Sequence, residues 1–262
     1  MLYLVATPIG NLKEITHRAV EILSSVDYIA CEDTRTSRVL LDAYDIHKPL
    51  VSYHKFNEAK ASLDIIDDLR RGKNIAVISD AGMPGISDPG CILVRAVIDA
   101  GLEYTVVSGP TALINAFVLS GYETPFTFIG FLPEDNRAVS VLEKYASVDS
   151  TLIFYCSPHS ILSDLSKMHE VYGDREICVV REISKKFEEV TFSTLSSGYT
   201  GTMKGEFVVL VRRGIQEHKN FDVDKNMQTL LDMGLTKTEA SKVVAKITGE
   251  KKSDVYKRLN NK

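Results

Sequence analysis

Residues 74–100 read NIAVISDAGMPGISDPGCILVRAVIDA. The apolar run Asn74–Ser79 has the length of a buried strand, and Gly90–Ala100 carries a helical pattern. Between them lies Ser79-Asp80-Ala81-Gly82-Met83-Pro84-Gly85-Ile86-Ser87-Asp88-Pro89-Gly90, far richer in Gly and Pro than a simple connection needs. Glycine lets backbone approach a ligand without a Cβ in the way, and proline fixes the loop's shape. Strand, ligand-type loop and helix in this order make a βα unit. Parallel sheets of such units hold ligands at the carboxyl ends of their strands.

The unit repeats on either side. Strands are predicted at Leu2–Thr7, Tyr28–Cys31, Leu50–Ser52 and Glu103–Val107. Helices are predicted at Thr16–Val26, Thr34–Tyr44, Ser62–Arg71 and Thr111–Leu119. Ala19, Val20, Leu23 and Val26 give the first helix one apolar face, and Gly72 and Gly101 sit where C-terminal caps belong. Residues 1–120 are therefore expected to form an α/β domain on a mostly parallel sheet. Two more loops of the same kind follow strands: Thr7-Pro8-Ile9-Gly10-Asn11 and Ser108-Gly109-Pro110-Thr111-Ala112. No G-x-G-x-x-G opens the first helix and no G-x-x-x-x-G-K-[ST] occurs, so a pyrophosphate gripped in either manner is excluded.

Beyond a linker at Gly121–Pro125, strands are predicted at Phe126–Phe131, Thr151–Cys156, Glu176–Arg181 and Glu206–Val211, with Lys186–Thr191 as a further one. Helices fall at Val139–Tyr145 and Ile161–Val171. Residues 121–214 read as a second α/β domain of mixed strand direction. Gly214–Asp224 is polar and reads as another linker. Residues 222–262 read as a helical tail of helix-turn-helix type. There Thr236-Lys237-Thr238-Glu239 is a capping box. Ala240, Val243, Val244 and Ile247 form an apolar stripe, Gly249 ends the helix, and Ser253 caps another at Asp254–Leu259.

The chain has 262 residues, 44% hydrophobic and 25% charged, with no apolar run long enough to span a bilayer. Met1–Ala6 lacks a basic start and reads as a first strand instead of a signal peptide. Cys31, Cys91, Cys156 and Cys178 form no C-x-x-C pair and read as reduced core thiols of a cytoplasmic protein. The net charge is −4. Thr236–Lys262 holds eight Lys/Arg and three Asp/Glu, so the tail is +5 on a body of −9. That asymmetry suits a polyanion, and a solvated helical tail is the plainer alternative.

Two clusters at strand ends add candidates. In Cys31-Glu32-Asp33-Thr34-Arg35, Asp33 either caps the next helix or joins Glu32 and Arg35 in touching substrate. Ser52-Tyr53-His54-Lys55-Phe56-Asn57-Glu58 mixes imidazole, aromatic and amide groups that suit a base or ribose. His54 and Glu58 have no third ligand nearby, and no metal is expected.

Taken together, LYLVATPIGNL, CEDTR, SDAGMPGISDPG, SGPTA and GFLP resemble the tetrapyrrole methylase superfamily, and within it the ribosomal RNA small-subunit methyltransferase I family. Later segments agree: Thr151–Tyr155 with Ser157-Pro158-His159, Arg181-Glu182 with Lys185–Glu189, and Lys204–Phe207. The resemblance covers the whole chain. It implies two α/β domains with S-adenosyl-L-methionine between them, a homodimer, and methylation of a cytidine ribose 2′-oxygen in 16S rRNA of the 30S subunit. Carried over by motif, Pro8, Gly10, Asp80, Ala81, Gly82, Thr111, Ala112, Tyr155 and Cys156 would hold the cofactor. Asp33, Arg35 and Asn57 would meet substrate. A ribose hydroxyl needs a proton acceptor as it attacks, for which Glu32, His54 and Glu182 are the candidates. The chain departs from the family pattern after Pro133, where Glu134–Ser140 replaces a basic stretch. Cys156 and Ser160 differ from the usual Glu and Arg, and Met83 stands where Thr is common. Methylation of a tetrapyrrole precursor, or cofactor binding on the ribosome without catalysis, are the competing readings.

Overall fold

The computed structural model describes residues 1–135, 137–214, 223–248 and 251–260. Five βα units come first in the chain: β1 (Leu2–Val5), α1 (His17–Ser25), β2 (Tyr28–Cys31), α2 (Thr34–Ala43), β3 (Leu50–Ser52), α3 (Glu58–Arg70), β4 (Ile75–Ile78), α4 (Cys91–Asp99), β5 (Tyr104–Val107) and α5 (Ala112–Ser120). Their strands are all parallel, in the order β3-β2-β4-β1-β5. β2 and β4 are buried on both faces, as an unbroken apolar run requires. One side of the sheet packs Leu2, Leu4, Ile65 and Leu93; the other packs Val5, Leu23, Ile29 and Ile78.

The second sheet is built from β6 (Phe126–Phe131), β7 (Thr151–Cys156), β8 (Glu176–Arg181), β9 (Glu189–Thr194) and β10 (Phe207–Val211), in the order β6-β7-β10-β8-β9. Only β6 and β7 pair in parallel, so the direction is mixed as expected. α6 (Arg137–Tyr145) and α7 (Ile161–Tyr172) cover one face, where Leu142, Phe154, Leu165 and Met168 are buried. α5 covers the other, placing Leu113 and Ala116 against Ile153, Val180 and Val208. The chain divides into two units, Met1–Gly214 and Ile215–Lys262, and both sheets lie in the first.

The second unit holds α8 (Val223–Asp232), α9 (Lys237–Thr248) and α10 (Lys252–Asn260). Met227, Ala240, Val244 and Val255 form a small core of its own. The capping box is present: Thr236 Oγ1 accepts from the Glu239 amide at 3.3 Å, and Glu239 Oε2 accepts from the Thr236 amide at 2.9 Å. Residues 215–222 of the expected linker, the cap at Gly249, and the Ile247 and Arg258 side chains lie outside the described residues, as does Asn136.

Four expectations need correction. α3 begins a turn before Ser62, because Glu58 is buried and bonded instead of facing water. The strand expected at Lys186–Thr191 runs from Glu189 to Thr194; tight turns with left-handed Glu182 and Ser184 occupy the residues before it. Cys91 is exposed at the head of α4, unlike the three buried cysteines. Ser253 lies inside α10 instead of capping it.

Candidate active site

Strands β4, β1 and β5 are neighbours, so the three Gly/Pro-rich loops leave the sheet side by side. The first two are tied together. Thr7 and Gly82 exchange backbone hydrogen bonds of 2.8 and 3.1 Å, and Thr7 Oγ1 donates to the Ser79 carbonyl at 3.2 Å. Gly82 sits at φ +80°, a region other residues enter at a cost. With both backbone groups engaged, it shapes the loop instead of offering them to a ligand. Gly10 serves close approach: a Cβ there would run into Lys185 and lie 3.0 Å from the Ile183 carbonyl, so the first loop lies directly on the β8–β9 connection. Gly130, at a β6 bulge, would bring a Cβ within 3.1 Å of Ser87 Oγ.

These loops and the ends of β7, β8 and β10 enclose a cavity of about 450 Å³. Ile9, Met83, Ile86, Ala112, Val180 and Val208 give it apolar walls. Phe131 and Tyr155 add an aromatic corner, their rings 5.5 Å apart and edge-to-face. Four carboxylates face it: Glu32, Asp80, Asp88 and Glu206. No Lys, Arg or His is among the residues that line it.

The carboxylates are not equivalent. Glu206 is paired with Lys185 at 2.9 Å. Asp80 accepts from the Asp33 amide at 3.2 Å, and burial raises its pKa against that bond. Glu32 is raised by burial and by Asp80, with His54 opposing. Asp88 is pushed up to about 7, by burial first and then by the charges of Glu32, Asp80 and Glu206. Among the described residues, neither Glu32 nor Asp88 has a hydrogen-bond partner for its carboxylate.

The cavity gathers eight of the residues expected from sequence: Glu32, Asp80, Ala81, Gly82, Thr111, Ala112, Tyr155 and Cys156. Pro8 lines a shallower cavity next to it, which shares Asp80. Gly10, Asp33, Arg35, His54, Asn57 and Glu182 line neither. Asp33 is the cap of α2, accepting from the Arg35 amide at 2.8 Å and from its guanidinium. Glu182 directly follows β8, one residue past its end, and its Oε1 accepts from Lys185 Nζ and from the Glu206 amide, both at 2.9 Å. Burial would raise its pKa, yet those bonds hold it low. A carboxylate so held is a poor proton acceptor. Glu58 accepts from Tyr53 Oη and from the Gly90 amide, both at 2.8 Å, and is thus committed to structure. Sequence reading missed Asp88 and Phe131, although both stand in the quoted SDPG and GFLP segments.

A parallel sheet and a mixed sheet with an acidic cavity between their loops define a methylase of the tetrapyrrole type. Residues 1–197 match the family model of the Tetrapyrrole (Corrin/Porphyrin) Methylases. The fold is shared with a crystal structure of uroporphyrin-III-C-methyltransferase from Thermus thermophilus: TM-score 0.58, 18% identity, covering 80% of this chain and 93% of that one. Two relatives, each named ribosomal RNA small subunit methyltransferase I, are far more similar in sequence. The Bacillus subtilis protein is 39% identical over 270 residues, 98% of this chain and 92% of the other. The Mycoplasmopsis pulmonis protein is 43% identical over 222 residues, covering 80% of this chain but 96% of its own. The chain belongs to the ribosomal RNA small subunit methyltransferase I family.

Proposed function

We propose that this protein methylates the ribose 2′-oxygen of a cytidine in 16S rRNA of the 30S subunit, using S-adenosyl-L-methionine, in the cytoplasm. The observation that carries the reading is the cavity of four carboxylates without a cation, in a chain of this family. Such a wall repels phosphates and attracts a ligand with a sulfonium and an ammonium. Its apolar and aromatic sides suit an adenosine. The residues present therefore fit the donor. When bound, S-adenosyl-L-methionine supplies a methyl group on a positively charged sulfur. The chain's own task is to position the hydroxyl and take its proton. Asp88 is best placed for this, being unpartnered and tuned near neutral pH. Burial first, and then the charges of Glu32, Asp80 and Glu206, keep it basic. The apolar walls exclude competing water.

The expected product is a 2′-O-methylated nucleoside. Mass spectrometry of 16S rRNA nucleosides from a strain lacking the gene would show that ribose methyl missing. Loss of a base methyl with every ribose methyl intact would overturn the reading. A radiolabelled methyl donor offered with 30S subunits or with uroporphyrinogen separates it from tetrapyrrole methylation.

The protein is further proposed to act as a homodimer. α5 exposes Ile114 (40%) and Val118 (72%) one turn apart, and the edge strand β5 exposes Val106 (48%). Neighbouring exposed apolar groups on one helix face mark an association surface. Val118→Glu is expected to convert a dimer to a monomer in sedimentation velocity. An unchanged sedimentation coefficient would place any dimer contact elsewhere.

A further inference from the structure

The Tyr53–Asn57 loop plays no part in the cavity, yet it presents Phe56 with 95% of its surface exposed. This ring is not held outward by chance. The loop's polar groups are bonded to one another. Asn57 Oδ1 accepts from the His54 amide at 2.8 Å, and Asn57 Nδ2 donates to the Ser52 carbonyl at 3.0 Å. The Asn57 amide donates to the His54 carbonyl at 2.9 Å, and the Phe56 amide to His54 Nδ1 at 3.2 Å. His54 stands edge-on to Phe56 at 6.1 Å. His54 and Asn57 thus act as the frame of the loop.

The frame is fastened to the active site at two points. The Tyr53 amide donates to the Cys31 carbonyl at 2.8 Å, beside Glu32. Glu58 accepts from the Gly90 amide at 2.8 Å, and Gly90 closes the loop that carries Asp88. The loop's backbone is thus tied to the segments that carry Glu32 and Asp88. Lys55, next to it, is exposed and forms no ion pair among the described residues.

A ribose can reach Asp88 only if its nucleotide leaves the RNA stack and enters the cavity, which strips a neighbouring base of a stacking partner. An exposed aromatic face on a loop tied to the Glu32 and Asp88 segments can restore that contact, and a lysine next to it can meet the adjacent phosphate. We propose that Phe56 is a stacking platform for an unpaired base next to the methylated nucleotide, with Lys55 as its phosphate contact. The inference rests on the rRNA reading above.

The test compares wild type with Phe56→Ala, Phe56→Leu and Phe56→Trp, using 30S subunits in both methylation kinetics and filter binding. Phe56 is fully exposed, so all variants should melt like wild type. Phe56→Ala is expected to raise KM and subunit Kd about tenfold, with kcat and calorimetric donor affinity unchanged. Phe56→Trp should restore both constants and Phe56→Leu should not, because stacking needs a π-face. Unchanged KM in Phe56→Ala overturns the platform. Rescue by Leu as complete as by Trp also overturns it, since that marks an apolar contact with a ribosomal protein. Subunits bound by wild type but never methylated would sink the rRNA reading, while the Kd ratios still decide the platform.

Discussion

Asp88→Asn is expected to lower kcat at least a hundredfold and, at the same time, to raise the melting temperature at pH 8. The first effect follows from loss of the proton acceptor, since general-base catalysis contributes about 10²–10⁴. Wild-type activity should climb with pH through about 7, where Asp88 ionises, and the variant's residual activity should not. The second effect follows from the direction of the shift. The carboxyl's pKa is raised on folding from 3.8 to about 7. Between those values the folded chain keeps a proton that the unfolded chain releases. Stability from this group is complete at pH below about 4 and is lost as pH rises through about 7. The neutral amide removes that loss. With allowance for solvent screening, the gain at pH 8 is about 1–2 kcal/mol, a few degrees in Tm. Paired melts at pH 4 and pH 8 check it. A variant that is slow but gains no stability at pH 8 would show that Asp88 is ionised without cost, and so not tuned as a base.

Removal of residues 215–262 is expected to raise KM for 30S subunits about tenfold near physiological salt and to flatten its salt dependence. Lys237, Lys242, Lys246, Lys251, Lys252 and Lys257 are all exposed. Lys242 and Lys246 lie one turn apart on α9. Each phosphate neutralised releases counterions and adds about 0.7–0.9 to the salt slope, so a tail that neutralises three phosphates accounts for a slope of about 2. Affinity for S-adenosyl-L-methionine should not change, because every residue of the cavity lies in Met1–Gly214. The Mycoplasmopsis pulmonis relative matches over 96% of its own length but only 80% of this chain, so shorter chains with this name occur. From Glu134 to Ser140 the sequence holds one cation, Arg137, and it is paired with Asp135. Truncated protein with unaltered KM across a salt series would show that the lysines only face water.

The strands were legible because they are short apolar runs bounded by polar, Gly or Pro residues; β2, β3, β6, β7 and β8 begin and end where the sequence reading put them. The loops were legible because their glycines and prolines have no other use. Order across the sheet was not. That β4, β1 and β5 adjoin, and so bring Gly82, Thr7 and Thr111 together, depends on crossovers that leave no trace in local pattern. The choice of acid was missed for a related reason. Glu182 follows a strand directly and was the plainer candidate, but the β8–β9 turn brings Lys185 onto it, whereas Asp88 lies deep in a loop that only tertiary structure buries beside Glu32 and Asp80. His54 and Asn57 looked like ligands because loop-framing side chains and ligand-binding side chains are drawn from the same polar set.

A cavity wall with four acids and no base also bears on how the cycle resets. On the proposed mechanism, methyl transfer to the ribose oxygen leaves a thioether where the donor carried a sulfonium, and Asp88 becomes uncharged as it takes the hydroxyl proton. The attraction that loaded the donor is thereby weakened from both sides at once, while Glu32, Asp80 and the product's ammonium keep part of it. Spent product is then held less firmly than the donor was. A fresh donor regains its full attraction only after Asp88 has returned its proton to solvent. Reloading is tied to deprotonation, so the preference for donor over product should weaken as pH falls below about 7.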